Sequence, residues 1–146
     1  MRISIGSDHG AVNLKDEVKK VLAEMDIEVF DVGTQGTTSV DYPDIAKKVA
    51  DDILAGRAEK GILLCGTGIG ISIAANKIHG IRAALCHDVF SAKMSREHND
   101  ANILAMGERV IGFGPAREIV KAWLKADFAG DRHARRVNKI TMLEQQ

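Results

Sequence analysis

One stretch near the middle of the chain limits the possible folds more than any other. Residues 60–77 contain, in order, an apolar segment, a cysteine, three glycines at alternate positions and a run of helix-compatible residues. Residues 62–64 form the short, continuous apolar run that is typical of a strand buried on both faces of a parallel sheet. The stretch therefore predicts a strand, a tight turn and a helix, with Cys65 where the strand ends.

The glycines of this turn indicate an anion site beside the thiol. Gly66, Gly68 and Gly70 lack a Cβ atom, so the turn can adopt positive φ angles and direct backbone N–H groups toward a bound group. The start of the following helix adds partial positive charge at the same place. These charges favour a thiolate, which makes Cys65 a candidate base or nucleophile. The alternative is that Cys65 is a small buried hydrophobic residue.

Three other glycine-loop motifs do not fit this turn. A nucleotide P-loop needs a Lys-Ser or Lys-Thr pair after its last glycine, where this chain has Ile71 and Ser72. A cysteine phosphatase needs an arginine six positions after its nucleophile, and Ile71 occupies that position as well. A dinucleotide-binding GxGxxG turn is excluded because the glycines alternate at every second position.

Short apolar strands alternate with helices along the rest of the chain. Strands are predicted at residues 2–7, 28–32, 62–64 and 81–86, and 101–106 and 110–112 bracket a fifth. The first helix has an apolar stripe and places Lys15 on its solvent face. Asp44 is expected to cap the second helix and Gly56 to end it, while Pro115 fits a first turn of the helix near residue 115. This alternation predicts an α/β fold with a parallel sheet and helices on both faces.

Ligands of such sheets bind beyond the carboxyl ends of the strands. That rule brings several polar segments into one predicted crevice: Asp8, His9, residues 65–70, His87 and the region around Asn99.

The C-terminal tail is predicted to be helical and is dense in cations. Arg132 and Arg136 are four residues apart, so a helix projects both guanidinium groups from one face. Two planar guanidinium groups on one face suit a phosphate or a carboxylate. The alternative is a solvated basic face, to which we assign His133 and Arg135.

Composition excludes several classes of function. The 146 residues include 20 basic and 20 acidic side chains, which does not favour nucleic acid or a membrane surface as a partner. The apolar runs are too short to span a bilayer, and the two cysteines fit a reducing, cytoplasmic location. A chain of this length is expected to form one domain over residues 1–146.

Five motifs, in this order, resemble type B ribose-5-phosphate isomerase over nearly the whole chain: Gly6-Ser7-Asp8-His9-Gly10, Asp41-Tyr42-Pro43-Asp44, the run from Cys65 to Lys77, the run from Ser95 to Asn102 and the run from Gly130 to Val137. The resemblance implies a Rossmann-like three-layer sandwich with a five-stranded sheet, followed by a helical tail. It also implies a cytoplasmic enzyme of the pentose phosphate pathway that needs neither metal nor cofactor. Its homodimer would build each active site from both chains, and a dimer of dimers stays open.

The same resemblance assigns roles to residues of this chain. Cys65 is the base that moves a proton between C1 and C2 of ribose 5-phosphate, Thr67 holds the enediolate, and His98 opens the sugar ring. His9, Arg132 and Arg136 bind the phosphate. The other substrate contacts that the resemblance implies are Asp8, Tyr42, Gly66, Gly68, Ile69, Gly70, Asn99 and Arg109.

Two other functions stay open at this point. Relatives of the family isomerise allose 6-phosphate or galactose 6-phosphate, which needs space for one more carbon. A protein that binds sugar phosphates without catalysis is the alternative from another class, although binding alone does not require Cys65, Thr67 and His98 together.

Overall fold

The computed structural model describes residues 1–145, in which strands and helices alternate. The strands are β1 (Arg2–Ser7), β2 (Glu28–Asp31), β3 (Lys60–Cys65), β4 (Ala83–Leu85) and β5 (Ile103–Gly107). The helices are α1 (Val12–Glu24), α2 (Tyr42–Leu54), α3 (Ile69–Asn76), α4 (Val89–Glu97), α5 (Phe113–Lys125) and α6 (Arg132–Leu143). All strand pairs are parallel, in the order β2-β1-β3-β5-β4. The predicted Rossmann-like α/β fold with a five-stranded parallel sheet and a helical tail is confirmed.

Helices cover both faces of the sheet because its strands carry apolar side chains on both sides. Ile62 and Leu64 of β3 pack against the layer of α1, α4 and α5, which contains the fully buried Trp123. Leu63 and Cys65 face the opposite layer, formed by α2 and α3. Each fully buried aliphatic side chain contributes about 1.5–3 kcal/mol to stability. This core holds Cys65 at a fixed place beside α3.

The α2 helix begins earlier than the sequence suggests. Its first residue is Tyr42, and Asp41 occupies the N-cap position with extended backbone angles. Pro43 fits the first turn because that turn needs no N–H donor there. The prediction that Asp44 caps the helix is wrong, since Asp44 lies within the first turn. The predicted end is confirmed at Gly56, which has a φ of 77°.

The last two strands are shorter than predicted. Residues 110–112 are not a strand, because the N–H groups of Val110 and Ile111 donate to the Gly107 carbonyl at 3.1 Å and close a turn. β4 covers three residues instead of six, since the Arg82 N–H donates to the Asn102 side chain at 2.8 Å and not to a strand partner.

Lys15 is buried, so its predicted place on the solvent face of α1 is wrong. Its side chain is 0% exposed, and its Nζ lies 2.9 Å from Asp31 Oδ1 and 2.5 Å from the Thr34 carbonyl. Burial opposes ionisation of Asp31, but Lys15, Lys19 and the Gly33 N–H outweigh it and lower the pKa of that carboxyl group from 3.8 to about 2. Lys15 thereby ties α1 to the loop that follows β2.

We expect Lys15→Met to lower the free energy of unfolding by about 2 kcal/mol at pH 7, because the variant leaves a half-buried carboxylate with fewer partners. Since the folded-state pKa of Asp31 is depressed, its contribution is present above about pH 4 and is lost as the pH falls toward 2. Denaturant unfolding of wild type and variant should therefore show a difference that narrows from pH 4 to pH 2. Lys19→Met is the matched control: its Nζ is also 2.9 Å from an oxygen of Asp31, but the Lys19 side chain is 39% exposed, so a loss under about 1 kcal/mol is expected. A difference that is constant with pH would contradict this account.

Candidate active site

The first group of candidate residues lies at the carboxyl edge of the sheet, after β1, β3 and β5. The segment after β1 is tied to β3, since the Asp8 N–H donates to the Leu64 carbonyl at 3.1 Å. A Cβ atom on Gly10 would lie 3.5 Å from the Gly66 nitrogen, so the two turns touch. We call the predicted residues gathered here the carboxyl-edge group: Asp8, His9, Tyr42, Cys65, Gly66, Thr67, Gly68, Ile69, Gly70 and Arg109.

Cys65 is the last residue of β3, and its sulfur accepts a hydrogen bond from the turn that follows. The Gly68 N–H lies 3.1 Å from Cys65 Sγ, and the side chain is buried at 5% exposure. Gly68 has a φ of 78°, and a Cβ atom there would lie 2.7 Å from the Met106 carbonyl carbon. Only glycine suits this combination of angle and space. The N–H donor and the start of α3 place partial positive charge beside the sulfur.

The segment after β5 is fastened to the same turn. The Glu108 N–H donates to the Cys65 carbonyl and the Arg109 N–H donates to the Gly66 carbonyl, both at 3.0 Å. The Arg109 side chain reaches within 3.5 Å of the position of a Cβ on Gly66. Glu108 is a residue that the sequence did not single out: its Oε1 accepts from the Leu14 N–H at 2.6 Å, which joins this segment to the first turn of α1.

His9 has one ring nitrogen committed to the backbone. Its Nδ1 accepts from the Val40 N–H at 3.2 Å, so the ring carries its proton on Nε2. Asp8 likewise accepts from the Gly10 N–H at 2.8 Å. Nε2–H of His9 remains available as a donor to an anion.

Tyr42 and Thr67 border the glycine turn. A Cβ atom on Gly70 would lie 2.7 Å from the Tyr42 ring, so the ring covers the start of α3. Thr67 is exposed, and its Oγ1 accepts from the Ile69 N–H at 3.2 Å. A hydroxyl that accepts this bond keeps its own proton free to donate to a ligand.

His87 lies at the same edge and supports the β5 turn. Its Nε2 accepts from the Gly107 N–H at 2.9 Å, and burial lowers the pKa of this histidine. A neutral His87 is therefore a packed residue that holds the backbone behind Thr67.

The second group of candidate residues lies at the opposite, amino edge of the sheet. α4 begins beyond the end of β4 and returns to the start of β5, so His98 and Asn99 follow it at the amino edge. Arg82 Nε donates to the Asn99 carbonyl at 3.1 Å, and Arg96 Nη1 donates to Asp100 Oδ1 at 3.0 Å. The prediction that the Asn99 region shares a crevice with Cys65 is wrong within one chain, because this segment follows a helix and not a strand.

The start of α6 packs against the end of α4. The Ala129 N–H donates to the Glu97 carbonyl at 2.9 Å, and the rings of His98 and His133 stack with centroids 4.2 Å apart and planes 10° apart. His133 is buried at 7% exposure, so its assignment to a solvated face is wrong. The four-residue spacing of His133 and the buried Val137 is the sequence signal that could have revealed this face.

Arg132 and Arg136 lie on α6 one turn apart, and both are exposed, as is Arg135. We call the residues at this edge the amino-edge group: His98, Asn99, Arg132 and Arg136. A cavity of about 530 Å³ at the same edge is lined in part by Lys77, His79, Arg82, Asn99, Ile140 and Leu143.

Residues 1–145 contain no cluster of three or more His, Cys, Asp or Glu side chains that could hold a metal ion. In the same range, none of the helices combines the length and the apolar character needed to cross a membrane.

Comparisons with known proteins show which family this chain resembles. A family model described as Ribose/Galactose Isomerase matches residues 3–140. The chain is 49% identical to ribose-5-phosphate isomerase B of Escherichia coli, an alignment that covers 99% of this chain and 97% of that protein. It is 45% identical to D-erythrulose-4-phosphate isomerase of Pectobacterium atrosepticum, over 100% of this chain and 97% of that one. Ribose-5-phosphate isomerase B of Clostridium thermocellum has a similar solved structure, with a TM-score of 0.98 and 58% identity over 99% of this chain and 98% of that chain.

Proposed function

Because this chain belongs to the Ribose/Galactose Isomerase family and is a sugar-phosphate aldose–ketose isomerase, we propose that it interconverts D-ribose 5-phosphate and D-ribulose 5-phosphate. The observation that carries the proposal is the Cys65 sulfur at the end of β3, in contact with the Gly68 N–H. The two free, buried cysteines of the chain support a reducing, cytoplasmic location. A place in the pentose phosphate pathway follows from the two proposed sugar phosphates. We treat residues 1–146 as one isomerase domain.

The proton transfer follows from the carboxyl-edge group. The Cys65 thiolate takes the proton from C2 of the open aldose, and the electrons move onto the carbonyl oxygen to form an enediolate. Thr67 donates to the developing oxyanion together with the backbone N–H groups of the turn from Gly66 to Gly70 that are not bonded to Cys65 Sγ or Thr67 Oγ1. The O2 proton moves to O1, which places the negative charge on O2, and Cys65 then returns its proton to C1 as the C2 carbonyl forms, which yields the ketose.

The remaining residues bind the substrate and open its ring. His98 donates a proton to the ring oxygen while the C1 hydroxyl gives up its own proton, so the bond between C1 and the ring oxygen breaks and the furanose opens to the aldehyde. His9, through Nε2–H, binds the phosphate together with Arg132 and Arg136. The other proposed sugar contacts are Asp8, Tyr42, Asn99, Arg109, Ile69 and the glycines of the turn.

A homodimer would unite the two groups, since one chain holds them at opposite edges of the sheet. Exposed apolar side chains surround the carboxyl edge: Ile69, Ile73, Leu85, Val89, Phe90, Val110 and Phe113. Phe90 alone is 72% exposed. Exposed apolar side chains grouped in this way are typical of a contact with another protein. We propose that a second copy covers it and brings its own His98, Asn99, Arg132 and Arg136 to Cys65.

The proposed substrate is tested by turnover of the purified chain, without added metal, on ribose 5-phosphate, allose 6-phosphate, galactose 6-phosphate and a four-carbon aldose 4-phosphate. We expect the highest kcat/KM with ribose 5-phosphate. The tetrose phosphate is included because one relative is named for a four-carbon ketose phosphate. A higher kcat/KM with another sugar phosphate would show that ribose 5-phosphate is not the preferred substrate. Binding of these four sugar phosphates without turnover would contradict the assignment as an isomerase.

The shared site is tested by mixing two impaired variants, Cys65→Ser and His98→Asn, after denaturation and joint refolding, with ribose 5-phosphate as the substrate. If each site combines Cys65 of one chain with His98 of the other, half of the dimers are mixed and each mixed dimer has one intact site. About a quarter of wild-type activity should therefore return. If both residues of a site came from one chain, the mixture would keep only the residual activity of the two separate variants. The control is wild type refolded in the same way.

A further inference from the structure

A second histidine lies directly against the residue proposed to open the sugar ring. The centroids of the His98 and His133 rings are 4.2 Å apart, and their planes differ by 10°. His133 is buried, whereas Arg132 and Arg136 on the same helix are exposed. The proposed chemistry uses these two arginines but gives no role to His133.

The backbone on both sides of the stack is held in place. Before α6, the Ala129 N–H donates to the Glu97 carbonyl at 2.9 Å, and the His133 N–H donates to the Gly130 carbonyl at 3.0 Å. After α4, Arg96 Nη1 donates to the Ala101 carbonyl at 2.6 Å. The two rings therefore meet because two fixed segments bring them together.

We propose that His133 is a positioning residue for His98: its buried ring, by stacking, fixes the plane of the imidazole that transfers the proton at the sugar ring oxygen. This role rests on the proposed function, because it acts only through His98. Stacked aromatic pairs are most favourable in offset arrangements with centroids 4.5–7 Å apart, and this pair is slightly closer than that. A ring held in this way loses little freedom when substrate binds, which keeps the transferring nitrogen in reach.

The charges around the stack favour a neutral His133. Burial lowers the pKa of His133, and the nearby His98, Arg132 and Arg136 lower it further, while Asp131 raises it. Two imidazolium rings at this distance would repel each other. A neutral His133 can stack on His98 without this repulsion.

Four variants test the role: His133→Ala, His133→Phe, His98→Asn and the double variant His98→Asn with His133→Ala. We expect His133→Ala to lower kcat for ribose 5-phosphate about tenfold with KM changed less than about twofold, because proton transfer suffers and phosphate binding does not. His133→Phe keeps a flat ring in the same place and should retain kcat within about threefold of wild type.

The double variant tests whether His133 acts through His98. In the His98→Asn background, His133→Ala should change kcat less than about twofold. His79→Ala, an exposed histidine in the cavity lining, is the control and should match wild type.

The ring proton on Cε1 of His98, followed by NMR, reports the stack without activity. Its chemical shift should change in His133→Ala and be largely restored in His133→Phe. Equal losses of kcat from His133→Ala with and without His98 would overturn the proposal, as would an unchanged kcat in His133→Ala. If His98→Asn alone kept wild-type kcat, the ring-opening role in the proposed function would fail as well, so the two failures can be distinguished.

Discussion

Cys65→Ser is expected to lower kcat for ribose 5-phosphate by about 10³-fold, with KM changed less than about threefold. The serine hydroxyl can still accept the Gly68 N–H bond that Cys65 Sγ accepts at 3.1 Å, so the turn keeps its shape. A hydroxyl is far less acidic than a thiol, and it therefore cannot supply a basic anion near neutral pH. General base catalysis typically contributes 10²–10⁴-fold, and the variant should lose most of it. Steady-state kinetics with ribose 5-phosphate, and with ribulose 5-phosphate in the reverse direction, measure this loss.

Cys86 provides the matched control, since it is the other cysteine and equally buried at 5% exposure. Burial raises the pKa of its thiol, which keeps it neutral, and it packs in the layer of α1, α4 and α5. Cys86→Ala should lower the free energy of unfolding by about 1 kcal/mol and leave kcat within about twofold. A Cys65→Ser enzyme within tenfold of wild-type kcat would show that Cys65 is not the base.

The sheet was predictable because its signals are local. The apolar run at residues 62–64 and the glycines after it lie next to each other in the chain, and they define a buried strand and a turn without reference to distant residues. Cys65 and Gly68 were placed correctly for this reason. The prediction for residues 110–112 is wrong, because their conformation depends on two N–H groups that donate to the Gly107 carbonyl.

Contacts between distant segments account for the other errors. A lysine outside the apolar stripe of a helix is normally solvated, so the sequence places Lys15 at the surface. Only the fold brings Asp31 and the Thr34 carbonyl to its Nζ. His133 is buried by α4, which lies more than thirty residues earlier in the chain. Asn99 lies at the amino edge of the sheet because α4 runs back toward that edge. The rule that ligands bind at the carboxyl ends of strands therefore does not apply to Asn99.

His98→Asn offers the sharpest test of ring opening, because its effect should depend on whether the substrate can form a ring. Ribose 5-phosphate is mostly a furanose, so the variant must wait for the rare open form, and we expect kcat/KM to fall about 10²-fold. In an aldotetrose 4-phosphate the oxygen that would close a furanose is esterified, so the aldehyde needs no opening. With that substrate the fall should be less than about fivefold.

Arg132→Gln is the control for this comparison, since both sugars carry the phosphate that Arg132 is proposed to bind. A lost guanidinium–phosphate contact weakens binding of both substrates, so it should raise KM for the two by similar factors, about tenfold. A similar fall in kcat/KM on both sugars for His98→Asn would instead place His98 in substrate binding or in the transfer at carbon. A fall in kcat/KM on the ring-forming sugar alone requires a group that acts before the C2 proton moves. This result would therefore distinguish the role of His98 in ring opening from the role of Cys65 in proton transfer at carbon.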